Sequence, residues 1–209
     1  MTAEEERKGE RVTQATGAKM AATGSAARYV IDTGISRFTA RAFATGLFSS
    51  LGHSPTFAIR GYTGEAAIVA GGLEQATIRI TVQSASLDLT DDVSQKDRAE
   101  IEDKMRQEVL ETSAYPEIAF ESSQVSPNML GENMYAVSVA GNLTLHGVTH
   151  SETISAQVTV ADSTLRAYGE FSLRQTDYGI RPVSVAGGTL KVKDEVKVTF
   201  DFTARKQEG

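Results

Sequence analysis

From Tyr29 onward, apolar side chains recur at every second position, and this period of two limits the fold more than any other feature. A strand points successive side chains to opposite faces, so alternation means strands with one face buried. Phe38, Ala40 and Ala42 alternate with Arg37, Thr39 and Arg41. Ile78, Ile80 and Val82 alternate with Arg79 and Thr81, after which the apolar parity moves to Leu87 and Leu89. Because a strand cannot change faces without an extra residue, a β-bulge is expected near Gln83–Ser86. Ile118 and Phe120 pattern a further strand, as do Val137, Val139, Leu143 and Leu145. His146-Gly147 fits a two-residue hairpin turn, with Gly supplying positive φ, and the return strand carries Ile154, Ala156, Val158 and Val160. Leu165, Ala167, Gly169, Phe171 and Leu173 form the next strand, and Val196, Val198, Phe200 and Phe202 the last. This parity places Phe120, Val139, Leu143, Ile154 and Phe171 in the core, with Arg79, Thr81, Thr144 and Ser172 facing outward.

One segment departs from this rule. Ser94 to Thr112 is dense in charge, with Ile101, Met105 and Val109 at steps of four and Leu110 beside them. That spacing predicts an amphipathic helix, with Ser94 as its cap and Pro116 ending any continuation. A lone helix among antiparallel strands implies a mainly β fold, an eight-stranded antiparallel β-barrel with one helix, and not alternating βαβ units. Residues 1–28, rich in Ala, Thr, Gly and charge, read as a mobile tail. Residues 29–204 read as the barrel domain and 205–209 as a short C-terminal tail; Met1 and Met20 both remain candidate starts.

An eight-stranded barrel sits at the size where side chains fill the interior or one slender ligand fits. Ala40, Ala42, Gly141, Ala156, Ala167 and Gly169 all fall on the inward parity. Together they predict an apolar tunnel walled by Phe38, Ile80, Phe120, Val139 and Phe171. The competing reading is that a strand glycine marks a bend or a close approach. A tunnel without charge suits an apolar chain, because unpaired polar ligand atoms lose their hydration there.

Charge and composition exclude other chemistries. Net charge is −6, which gives no basic field for nucleic acid. With no Cys and three His, thiolate and Cys-type metal sites are absent, and no cofactor or resident metal is expected. His146 and His150 straddle a chain reversal, so their spacing has no helical meaning. His53 is a candidate to meet a ligand head group at the barrel mouth, or to cap loop carbonyls. No Gly-x-Ser-x-Gly elbow, phosphate-binding loop or dinucleotide fingerprint occurs, so no catalytic residue is assigned. The charged N-terminus offers no signal peptide and no segment is apolar enough to span a membrane, so a soluble, cytoplasmic protein is expected.

Several strings then stand out together. Tyr115-Pro-Glu-Ile-Ala-Phe120-Glu-Ser122, Gly141-Asn-Leu-Thr-Leu-His-Gly-Val-Thr149 and Arg174-Gln-Thr-Asp177-Tyr178-Gly179-Ile180 resemble, in order and spacing, segments of the YceI-like family. Tyr29-Val-Ile-Asp32, Ser36-Arg-Phe38 and Lys193-Asp-Glu-Val-Lys-Val-Thr-Phe200 fit as well. The resemblance implies a lipocalin-like barrel that holds an isoprenoid or other long-chain lipid, without known catalysis. Many relatives look periplasmic, and Ala44–His53 is unlike the family's usual strand and loop there. The functional expectation is carriage or sequestration of a long apolar amphiphile. The alternative is a filled barrel acting through its surface as a structural or stress-related interaction protein, with a cofactorless hydrolase ranked third. A homodimer stays open.

Overall fold

The computed structural model describes residues 26–45, 54–69, 72–185 and 190–208. Its core is a ring of eight antiparallel strands in the order β1 (Ala27–Ile31), β4 (Tyr62–Ile68), β5 (Thr77–Gln83), β7 (Glu117–Gly131), β8 (Met134–Leu145), β9 (Val148–Val160), β10 (Thr164–Arg174) and β12 (Leu190–Lys206). The ring closes where Tyr29, Val30 and Ile31 pair with Lys206, Arg205 and Ala204. Closure at this seam removes the two edges that an open sheet would leave at its first and last strands.

Three of its strands are broken and continue outside the ring. After Ile31 the chain turns at Asp32–Ser36, then rejoins β12 as β2 (Arg37–Thr45). The Asp32 carboxylate accepts from the Gly34 amide at 3.1 Å, and the Thr203 amide donates to Ser36 Oγ at 3.0 Å, which pins the break to the sheet. A second break, at Arg60 and Gly61, separates β3 (Thr56–Ile59) from β4, and a third separates β5 from β6 (Leu87–Leu89). The third is the interruption expected from the parity change, although it is a single 3₁₀ turn, Ser84–Ser86, and not a one-residue bulge. That turn is anchored where Ser84 Oγ donates to the Tyr115 carbonyl at 2.7 Å. β2, β3 and β6 pair in that order and form a side sheet off β12; β11 (Ser184–Val185) is a short pair on the same strand.

The helix closes the outer edge of this side sheet. α1 spans Gln95–Lys104, and Ser94 Oγ accepts from the Asp97 amide at 3.1 Å, as a capping serine should. Arg98 donates to the Leu89 carbonyl, and the Leu89 amide donates to Glu102 at 3.0 Å, so helix side chains supply the hydrogen bonds a neighbouring strand would make. The helix proper is polar on most of its surface. Its apolar contact comes from Ile101, partly buried against the core, and from the last turn, Met105–Val109, which widens to π geometry with the Leu110 amide donating to the Met105 carbonyl at 2.9 Å. The wider turn brings Met105 and Leu110, five residues apart, into the core together.

The β8–β9 turn forms as expected, with His146 and Gly147 at φ 52° and 73°, the pair of positive angles that a tight hairpin of this twist requires. The His146 ring lies 4.2 Å from the Tyr115 ring, and its Nε2 is 2.7 Å from the Glu111 carboxylate.

Candidate functional site: the barrel interior

Of the predicted core residues, Phe120, Val139 and Leu143 are buried, whereas Ile154 and Phe171 are inward yet only partly buried. Arg79 and Ser172 are exposed, and Thr81 and Thr144 are intermediate. Partial exposure of inward apolar groups has one geometric source, space inside the barrel. A cavity of about 160 Å³ runs there, bordered by β1, β2, β4, β5, β7, β8, β9, β10 and β12. Phe38, Ile80, Phe120, Val139, Ala156, Ala167 and Phe171 all border it. Glu65 is the one charged residue on its border, and its carboxylate is turned to Arg28 at 2.8 Å.

The other predicted positions lie elsewhere. His53 is outside the described residues. Ala40 and Ala42 are on β2, outside the cavity's lining, where Ala40 faces Phe57 of β3 in register. A small residue there accommodates a large neighbour; it does not leave a hole. Gly141 and Gly169 correct the tunnel argument more directly. A Cβ on Gly141 would come within 2.6 Å of the Phe120 ring, and one on Gly169 within 2.9 Å of the Phe200 ring. Each glycine is therefore a recess already occupied by a phenyl ring, the close-approach reading of a strand glycine. Their effect on the cavity is indirect, since the rings lie back against the wall.

The cavity extends from Ile68, Leu165 and Ala204 at one end as far as Val82, Ile118, Leu143 and Phe171 toward the other. Toward the helix the interior is packed by Leu87, Leu89, Met105, Leu145, Leu173 and Tyr178. Tyr178 is 0% exposed; its hydroxyl donates to Glu152 at 2.7 Å, and burial, then that carboxylate, hold its pKa well above the tyrosine range. It sits in the turn Gln175–Tyr178, whose Thr176 amide and hydroxyl both donate to Asp194, at 2.8 and 2.7 Å. Gly179 closes that turn at φ 71°. The Arg174–Ile180 string thus plugs one end, with Asp194 of β12 as the carboxylate that binds the turn's backbone. This partner was invisible in the sequence, because it arrives from β12. Between the two ends, the Tyr62 ring packs at 5.5 Å on Phe38 and 5.7 Å on Phe202. Its buried hydroxyl has no hydrogen-bond partner among the described residues, and burial pushes its pKa up.

A larger hollow, about 1050 Å³, lies outside the barrel over β7–β10 and β12, where outward residues such as Ser126, Ala136, Ser138 and Ser155 are small. It is open to solvent, and Arg166 and Asp201 pair across it at 2.8 Å. Apolar ligands gain little from such a place.

Solved structures share this architecture. BcnA from Burkholderia cenocepacia is similar with a TM-score of 0.63 at 19% identity, covering 83% of this chain and 98% of that one. A polyisoprenoid-binding domain from Saccharophagus degradans, implicated in plant cell wall breakdown, aligns with a TM-score of 0.61 at 16% identity, over 86% of this chain and 98% of that one. At these identities the likeness concerns the fold. No curated protein sequence matches the chain. Among the described residues no helix is long and apolar enough to cross a membrane. The family model of the YceI-like domain matches residues 29–204, from within the barrel's first strand to within its last, and the chain belongs to the YceI-like family.

Proposed function

We propose that this protein binds a long apolar chain, an isoprenoid or a comparable lipid, inside the barrel, and carries or sequesters it. The observation that carries this reading is the cavity itself, packed at its helix end, apolar save for Glu65 at its border, and walled in part by inward residues such as Ile154 and Phe171 that a filled core would have buried. The binding named for the Saccharophagus degradans domain, which shares the fold, supports the same ligand class.

Volume sets the manner of binding. At about 160 Å³ the cavity matches the ~150 Å³ apolar void known to stay dry and hold a benzene, so it takes roughly one isoprene unit without adjustment. A longer chain displaces rings, and Phe38, Phe120, Phe171, Phe200 and Phe202 are those that border the space. The test is native mass spectrometry, with organic extraction, of the full chain purified from its own host. A co-purifying lipid of defined mass is the expected result. Protein that emerges empty, and stays empty after incubation with geranylgeraniol or palmitic acid dispersed from ethanol, would favour the filled barrel acting through its surface.

A further inference from the structure

The rungs of the barrel do not all end at the same height. One rung runs in direct register through Met129 of β7, Tyr135 of β8, Val158 of β9, Ala167 of β10 and Phe202 of β12. Val158, Ala167 and Phe202 border the cavity, and Tyr135 is partly buried against the core. Met129 is 68% exposed. A single apolar row therefore passes from the cavity wall to open solvent, because the strands of a barrel are staggered.

On its other side β7 loses its strand partner at the same level, and the turn Leu73–Gln75 packs against it instead. β5 pairs with β7 only from Glu117 to Glu121, and among the described residues no strand continues that pairing from Gln124 to Gly131. Leu73 and Ala76, from the connection leading into β5, and Val125 of β7 border the cavity at this break. Leu130 and Met134, 51% and 41% exposed, flank the hairpin tip. The tip is held in place, since the Asn133 carbonyl accepts from the Val160 amide at 2.9 Å. Single exposed apolar residues, such as Ile35, are ordinary; three at one hairpin tip beside a break in an apolar wall are not.

We propose that the β7–β8 tip is the lip of the cavity and docks on the surface of a lipid bilayer, with the chain passing between bilayer and cavity along the Met129 edge of β7. This rests on the reading that the cavity takes an apolar chain. Such a chain meets a large barrier in water, and a continuous apolar row removes that step. From Met129 to Met134 the only charged residue is Glu132, and no Lys or Arg lies there to seek anionic lipid. The partner is therefore a neutral, zwitterionic bilayer.

The test compares the full chain with the variant Met129→Asp, Leu130→Asp, Met134→Asp, whose melting temperature should match because all three positions are exposed. Two readouts are taken: flotation with phosphatidylcholine vesicles, and transfer of radiolabelled geranylgeraniol from those vesicles to protein. The variant should lose vesicle binding and transfer about tenfold or more, yet load geranylgeraniol normally from an ethanol dispersion. Equal transfer by both proteins, or a parent chain that does not float, would overturn the lip. So would loss of a dimer on size exclusion in the variant with no vesicle binding by the parent, which would assign the tip to a second copy. Failure of both proteins to load by any route would remove the cavity reading itself, which separates the two failures.

Discussion

The two ends of this barrel are built from the same alternating strands and end up physically different. At the helix end, the side sheet, the wide turn Met105–Val109 and the Gln175–Tyr178 turn bring bulky groups from outside the ring, and the interior is dense. At the β7–β8 end only the short connection carrying Leu73 and Ala76 is added among the described residues, and the wall encloses a space it does not fill. Alternation therefore makes a wall, and accessory segments decide whether the wall surrounds a core or a cavity.

The largest break in this comparison is expected at the dense end. Tyr178→Ala removes a fully buried ring and should cost about 3–5 kcal/mol, a fall of roughly 10 °C or more in Tm by calorimetry. A change of a degree or two would mean that the plug is not packed. Next come two substitutions on neighbouring inward positions of β10. Gly169→Leu must displace the Ser155 carbonyl, 2.4 Å from the new Cβ, and the Phe200 ring, so a loss of about 1–3 kcal/mol is expected in urea unfolding. Ala167→Leu grows into the cavity, and it should leave stability within about 1 kcal/mol while reducing extracted lipid severalfold. Equal costs at the two sites would erase the distinction between recess and cavity.

A smaller effect depends on pH. Hydrogen bonds from Thr176, then from Arg174, hold the Asp194 carboxyl below the usual carboxylate range. A carboxyl whose folded pKa is lowered stabilises fully above its unfolded value of about 3.9, and the stabilisation disappears as pH falls through the lowered folded value. Asp194→Asn should thus melt a few degrees lower than the parent at pH 7, and the gap should close on acidification below about pH 4. A gap independent of pH would assign the loss to geometry. The smallest effect has the opposite sign: Tyr62→Phe removes a buried hydroxyl that has no partner among the described residues and should raise Tm slightly.

Most of the wall was legible in the sequence, for a physical reason. Strand parity is a local property, so Ile80, Phe120, Ala156 and Phe171 could be placed inward without knowing their neighbours, and the face change after Val82 revealed the break at Ser84–Ser86. What fills a gap is not local. Gly141 and Gly169 look like open space in the sequence, and only the register shows that the Phe120 and Phe200 rings lie against them. Ala40 and Ala42 look like tunnel residues, yet the broken first strand carries them out of the ring and away from the cavity. The exposed tip was missed because Met129 follows the inward parity, and strand stagger alone lifts it clear.

β12 has a consequence for how the molecule comes into being. It pairs with β10 along one side and with β1 and β2 along the other, so the ring closes only through the last strand. On a ribosome, β10 and β2 stay unpaired on those sides until residues 190–206 have emerged, exposing two long apolar edges meanwhile. Closure joins residues about 175 positions apart, the slow, non-local step that contact order predicts for such topologies. Folding time, more than final stability, is where this architecture is most vulnerable, and a chaperone that shields the β10 edge would protect every later step.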